Sequence, residues 1–281
     1  MTRDIYAEVT DRIVAAIEAD PGDPILPWQR GGASEVPSNI ETGREYRGVN
    51  ILNLWVTGQL AGYTAGVWGT YRQWREAGAQ GRKGEKASQI VFYNAYEREG
   101  EDGETEMRRA IRSYAVFNAD QVEGYKPPEI RDLPPLERLE EADRAVRKTG
   151  AKVIEGGDRA FYRPSTDTIH VPDGARFFDT AHGKRTENFY SVLCHELTHW
   201  TGHPDRCDRD LRNRFGTEAY AMEELVAELG AAFLCARLRI TPAVRKDHAQ
   251  YLANWLQVLK DDKRAIFAAA AKAQAAVDYI L

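Results

Sequence analysis

The most informative stretch of the sequence is residues 189–203 in its second half, FYSVLCHELTHWTGH. His195 and His199 are four residues apart and therefore share one face of a predicted helix, with Glu196 one step around it. Two neutral imidazoles at this spacing are typical of a divalent-metal site, and a neighbouring carboxylate that is not a ligand can act as a general base. The stretch therefore predicts a metal-dependent hydrolytic site in which His195 and His199 bind the ion and Glu196 is catalytic. The expected substrate of this site is a protein or peptide.

A third metal ligand is required, and the sequence leaves several candidates. Glu224 is favoured because it lies in a predicted helix among apolar residues, where Glu is rarely buried without a partner. Glu228 follows one turn later and could bind the metal or orient a ligand histidine. Asp205 completes the pattern HExxHxxGxxD, and Glu223 and His203 are further alternatives. Zn²⁺ is the expected cofactor, with Mn²⁺ or Co²⁺ as alternatives.

Length and composition limit the class of protein. The 281 residues are enough for two domains, and we expect each to have its own core. A hydrophobic fraction of 43% and a charged fraction of 29% exclude a disordered or fibrous chain. The formal net charge of −5 argues against a uniformly basic nucleic-acid binder. No apolar run is long enough to span a membrane and no signal region is evident, so we expect a cytoplasmic protein without a membrane partner.

Apolar spacing and prolines divide the chain into two units. The pattern predicts paired strands over 88–97 and 110–122, and four prolines mark a linker at 127–135. We therefore predict an α+β fold with one domain over 1–126 and a mostly helical one, with a small sheet, over 136–281. Helices are predicted around HELTH and over 3–19, 50–62 (with Asn50 as N-cap), 70–77, 136–149, 217–238, 242–257 and 262–279.

Basic and aromatic residues alternate between residues 42 and 98, where eight side chains are basic and four acidic. Basic groups neutralise phosphates and aromatic rings stack on unpaired bases, so this pattern favours single-stranded nucleic acid. In the turn GRKGEK at 81–86, glycines let the backbone approach a phosphate. The alternative is that the aromatic residues fill a core. The candidate DNA-binding residues are Trp28, Tyr46, Arg47, Asn50, Trp68, Tyr71, Arg82, Lys83, Lys86 and Tyr93.

Motifs in both halves occur in a specific order and spacing. They are Pro27-Trp28, YRGVN at 46–50, GVWGTYRQW at 66–74, GRKGEK at 81–86, YAVFNADQ at 114–121, HELTHWTGH at 195–203 and EELVAELGAAFL at 223–234. With these motifs the chain resembles the ArdC-type antirestriction proteins of conjugative plasmids, whose N-terminal domain also occurs in TraC-type primases.

The resemblance implies a single-strand DNA-binding domain followed by a zincin-like metallopeptidase domain, and protection of incoming DNA from host restriction during conjugation. It also implies His195 and His199 as ligands, Glu196 as catalytic base, and Glu224 rather than Asp205 as third ligand. The alternative hypothesis is a passive single-strand DNA-coating protein whose metal site is structural or vestigial. The presence of Glu196 favours the first hypothesis, because a structural zinc needs no general base.

Overall fold

The computed structural model describes residues 4–19, 36–99, 105–125, 135–179, 183–211, 217–240 and 248–281. Within this part, the helices are α1 (Ile5–Glu18), α2 (Val49–Ala61), α3 (Tyr71–Glu76), α4 (Pro135–Thr149), α5 (Arg185–Trp200), α6 (Glu218–Arg237), α7 (His248–Asp261) and α8 (Ala265–Ile280). The strands are β1 (Ser38–Asn39), β2 (Val67–Gly69), β3 (Gln80–Gly81), β4 (Ser88–Glu99), β5 (Thr105–Asn118), β6 (Val122–Glu123), β7 (Lys152–Glu155), β8 (Phe161–Arg163) and β9 (Thr168–Val171). The chain is an α+β protein of two domains, as predicted.

The first half is organised around a long antiparallel pair, β4 and β5, in a sheet of order β1-β2-β5-β4. The predicted pairing is confirmed and extends from Ser88 opposite Val116 outward along the hairpin. The second strand ends at Asn118 rather than at residue 122, because the side chain of Asn118 accepts a hydrogen bond from the backbone of Asp120 and caps a short 3-10 turn.

The edge of β4 is covered by asparagine side chains from α2. The amide of Asn50 donates to the carbonyl of Val91 and accepts from its N–H, both at 2.8 Å, and Asn53 donates to the carbonyl of Gln89 at 2.5 Å. These amides take the place of a neighbouring strand and satisfy peptide groups that would otherwise be buried unpaired. The predicted capping role of Asn50 is therefore wrong: α2 begins at Val49, and its N-cap is Gly48 at φ 56°.

In the second half, a small sheet and the helices α5, α6 and α8 pack on one another in succession. The strands follow the order β7-β9-β8, with β7 parallel and β8 antiparallel to β9, and this sheet packs on α5. On its other side α5 packs against α6, which in turn packs against α8. The helix that carries HELTH is thus held between the sheet and α6, with most of its apolar side chains buried.

The two halves share their largest core. The ring centroids of Trp55 in α2 and Phe233 in α6 are 5.8 Å apart, and those of Tyr6 in α1 and Phe267 in α8 are 4.7 Å apart. The hydroxyl of Thr10 donates to a backbone carbonyl of the second half. The expectation of a separate core for each half is therefore wrong for this cluster, because α1 and α2 bury their apolar faces against the C-terminal helices. Two smaller clusters belong to the first half alone.

The segment predicted as a linker lies almost entirely outside the described residues. Of residues 127–135, the structure describes Pro135, which begins α4. The proposed domain boundaries therefore stay a prediction. In the parts of the chain that the structure describes, no helix is both long and apolar enough to cross a membrane.

Candidate functional site

The two histidines of HELTH converge with one carboxylate from α6. The Nε2 atoms of His195 and His199 are 3.2 Å apart. The carboxylate of Glu224 lies 3.6 Å from Nε2 of His195 and 3.5 Å from Nε2 of His199. One potential ligand atom from each of these three residues lies within 4.8 Å of the other two. Two imidazole nitrogens and a carboxylate oxygen form a donor set that fits a divalent cation.

Two more carboxylates face the outer nitrogens of the same histidines. Oε2 of Glu228 lies 3.7 Å from Nδ1 of His195, and Oε1 of Glu223 lies 3.2 Å from Nδ1 of His199. A carboxylate at this position fixes the orientation of a ligand imidazole and raises its basicity. The sequence suggested such a role for Glu228 but treated Glu223 as an alternative ligand. In the structure Glu223 instead faces Nδ1 of His199, whereas Glu224 faces Nε2 of the same ring.

Arg209 neutralises Glu223 and connects it to the end of α5. The guanidinium donates to both carboxylate oxygens of Glu223, at 2.9 to 3.3 Å. It also donates to the carbonyl of Thr198 at 2.6 Å and to the hydroxyl of Thr201 at 2.9 Å. A buried carboxylate needs such a partner, since an unpaired buried charge is strongly destabilising. Sequence reasoning missed Arg209, because an arginine in a polar loop carries no spacing signal.

The pKa values reflect this concentration of buried charge. Burial alone would raise the pKa of Glu224, but its hydrogen bond to His195 and the charges of both histidines lower the pKa to about 2. Burial alone would lower the pKa of His199, yet the hydrogen bond to Glu223 and the surrounding carboxylates raise it. The pKa of Glu223 is also lowered, because hydrogen bonds from His199 and Arg209 outweigh burial. The cluster thus favours ionised carboxylates.

A glycine sets the close approach of α5 and α6. A Cβ atom added at Gly230 would lie 2.4 Å from Cγ2 and 2.6 Å from Oγ1 of Thr198, the residue directly before His199. No side chain larger than hydrogen fits there without a shift. The short distance between the helices lets Glu224 and Glu228 reach His195.

The remaining candidates around the cluster occupy different positions. Glu196 is buried on α5, close enough to His199 to raise the pKa of that histidine. Tyr220 forms a hydrogen bond with Glu224. Asp205 does not join the group: its side chain is largely exposed and faces Nδ1 of His203 at 3.5 Å. The geometry therefore favours Glu224 over Asp205 as the third ligand.

Three of the residues expected to contact DNA are buried, and one lies outside the described residues. Trp68 is 2% exposed and Tyr46 5% exposed, and both belong to a small core of the first half. Asn50 is buried against β4. Stacking on a base needs a free ring face, so burial argues against stacking by Trp68 and Tyr46. Both polar atoms of the Asn50 amide are already paired with Val91. Trp28 is among the residues that the structure leaves undescribed.

The remaining candidates are exposed in two places. Tyr71 lies beside the GRKGEK turn, where its ring is 3.8 Å from a Cβ atom added at Gly81. In that turn Arg82 pairs with Glu85 at 3.0 Å, whereas Lys83 and Lys86 are exposed. The second place is a cavity between the two halves, which Arg47 and Tyr93 line.

Comparison with known proteins identifies both halves. Residues 3–118 match the N-terminal domain of anti-restriction factor ArdC, and residues 140–272 match a family of zincin-like metallopeptidases. An uncharacterized protein of Sinorhizobium fredii, y4eC, is 46% identical over 99% of this chain and 91% of its own length. The DNA primase TraC of Escherichia coli is 36% identical over 98% of this chain, which spans 27% of that primase.

Solved structures of one relative cover the whole fold. The metal-free crystal structure of the antirestriction protein ArdC from plasmid R388 is 41% identical, with a TM-score of 0.82 over 99% of this chain and 97% of that chain. Its Mn(II)-bound crystal structure has a TM-score of 0.78, with 39% identity and the same coverage.

Proposed function

Since the chain belongs to the ArdC family of antirestriction proteins, we propose that it binds single-stranded DNA and cleaves a protein or peptide at a divalent-metal site. Both activities would serve to protect incoming DNA from host restriction during conjugation. The observation that carries the proposal is the convergence of His195, His199 and Glu224 beside Glu196. Zn²⁺ is the proposed cofactor, with Mn²⁺ and Co²⁺ as alternatives, and the Mn(II)-bound form of the R388 protein supports a divalent ion.

The chemistry of the site follows from its donor set. When bound, a divalent cation polarises a substrate carbonyl and makes water more acidic. His195, His199 and Glu224 would hold it. Glu196 would accept the proton of the attacking water and return it to the leaving amine. Glu223 would hold the imidazole of His199 through the hydrogen bond at its outer nitrogen, and the carboxylate of Glu228 lies 3.7 Å from the outer nitrogen of His195.

Glu196→Gln tests the peptidase part of the proposal. The amide has the same shape but cannot accept the proton, and it does not alter the three ligands. Bound metal and single-strand binding should therefore remain at wild-type levels. The measurement is plasmid transfer into restricting and non-restricting recipient cells, and we expect protection to be lost. If the variant protects as well as the wild type, the protein acts by coating DNA and its metal site is structural or vestigial.

The DNA-binding part rests on the exposed basic turn and on the similarity to TraC. Lys83 and Lys86 have no ion-pair partner among the described residues, so both are available to phosphates. Replacing both with Ala should weaken binding of an oligo-dT and reduce the slope of log affinity against log salt by about 1 to 1.5. Lys152→Ala, at an exposed site in the second half, is the control. Wild-type protein that fails to bind oligo-dT would contradict the proposal, and an unchanged slope would contradict the role of the turn.

A further inference from the structure

A cavity of about 890 Å³ lies between the two halves of the molecule, and we call it the interdomain groove. One wall is formed by β4 and β5, and the other by α8. Residues 39–50, which lead into α2, close one end. Its volume is in the upper range for ligand-binding clefts. The residues that α8 contributes are Phe267, Ala271, Gln274, Ala275 and Asp278.

The strand wall of the interdomain groove carries aromatic rings that face solvent. Phe92, Tyr93 and Tyr114 are 45%, 52% and 41% exposed. Phe92 and Tyr114 meet edge to face, with ring centroids 5.6 Å apart. Phe92 pairs with Arg112 in the register, and Ile90 pairs with Tyr114. Residues two apart along a strand share a face, so the rings of Phe92 and Tyr114 lie on the same face of the hairpin. Exposed aromatic rings grouped in a cleft are suited to stacking with unpaired bases.

The rim of the groove offers two guanidinium groups. Arg44 is exposed and has no ion-pair partner in the part of the chain that the structure describes. Arg47 pairs with Asp278 of α8. Arg237, at the end of α6, lies 2.8 Å from Glu45 and 3.9 Å from Asp278. When Arg47 turns to another anion, Asp278 therefore keeps a cationic neighbour. Arg44, Arg47 and Arg237 together outnumber the carboxylates of Glu45 and Asp278 by one charge, which favours phosphate at Arg44 and Arg47.

We propose that the interdomain groove holds single-stranded DNA, with unpaired bases on Phe92 and Tyr114 and phosphates at Arg44 and Arg47. The inference rests on the proposed DNA binding and adds that the metallopeptidase half forms the second wall of the site. The small side chain of Ala271 leaves room for a strand along α8. A duplex does not fit this chemistry, because its bases expose no free face.

The test measures anisotropy of a fluorescein-labelled oligo-dT of about 15 nucleotides, with a labelled duplex as a second probe. Replacing Phe92 and Tyr114 together with Ala should weaken oligo-dT binding about tenfold or more. Ala271→Glu places a negative charge in the groove and should also weaken binding about tenfold. Asp278→Asn frees Arg47 and should tighten binding several-fold at low salt.

The matched control is Ala268→Glu, at an exposed alanine of the same helix that does not line the groove, and its binding should equal that of the wild type. The two Glu variants differ in position alone, so they decide the question even if the aromatic double variant fails to fold. If wild-type protein binds oligo-dT and Ala271→Glu binds it equally well, the groove assignment is overturned while DNA binding stands. Loss of protein cleavage in Ala271→Glu with unchanged DNA binding would assign the groove to a peptide instead. Wild-type protein that binds no oligo-dT overturns both.

Discussion

At the scale of single residues, the proposed metal site depends on carboxylates that lie near the outer nitrogens of its histidines. Glu223 contacts the outer nitrogen of His199 and is itself held by Arg209. The local spacing of HELTH predicts the two histidines and the base, because four residues make about one helical turn. It could not assign the adjacent glutamates Glu223 and Glu224 to different roles. That assignment depends on how α6 is rotated against α5.

Glu223→Gln should lower metal affinity about 10- to 100-fold, because the amide loses the charge that orients His199 and raises its basicity. The neutral side chain can still accept from Arg209, so the fold should survive. Competition with a chelator of known affinity measures the change. Glu218→Gln, at an exposed acidic site of the same helix, is the control and should bind metal like the wild type. Equal metal affinity in both variants would show that the only role of Glu223 is to neutralise Arg209.

At the scale of elements, the crossing of α5 and α6 brings His195, His199 and Glu224 together. Gly230 sits against Thr198, and this contact sets the distance between the helix that carries the histidines and the helix that carries Glu224. The sequence predicts both helices from their apolar spacing, and the structure confirms them. Their contact could not be predicted, since a glycine in a helix has no periodic signal that reveals what lies opposite.

Gly230→Ala should destabilise the protein by about 1–3 kcal/mol, because the added methyl group overlaps Thr198 and forces the helices apart. Metal affinity should fall with it. Gly58→Ala is the matched control: this helical glycine has its nearest neighbours at 3.9 Å, so the substitution should raise stability by about 0.5–1 kcal/mol through helix propensity. Urea unfolding of both variants measures the difference. A Gly230→Ala protein as stable as the wild type would exclude a tight crossing at this point.

At the scale of the whole molecule, the two domains behave as one packed body. Helices α1 and α2 bury their apolar faces on α6, α7 and α8. Helix α8 also forms a wall of the interdomain groove and packs against α6, which carries Glu224. Helix α8 therefore lines the proposed DNA site and also contacts α6, the helix that carries Glu224.

We expect a single thermal unfolding transition for both halves, because a shared core cannot be lost from one half alone. Trp55→Ala removes the ring that packs on Phe233 and should destabilise the protein by about 3–5 kcal/mol without splitting the transition. Tyr71→Ala, at an exposed site of the first half, should have little effect. Scanning calorimetry of the three proteins measures this. Two resolved transitions in the wild type would contradict a shared core.

The features that depend on neighbours along the chain could be predicted from the sequence. These are the helices, the β4 and β5 pair, and the placement of His195, Glu196 and His199 within one helix, because local spacing controls them. The sequence favoured Glu224 among several carboxylates, but only the packing of the helices shows which carboxylate meets the histidines and which aromatic rings remain exposed. Trp68 and Phe92 both lie in strands of one sheet, yet Trp68 is buried while Phe92 faces the groove. Burial and proximity depend on residues far away in the chain, and no local pattern encodes them.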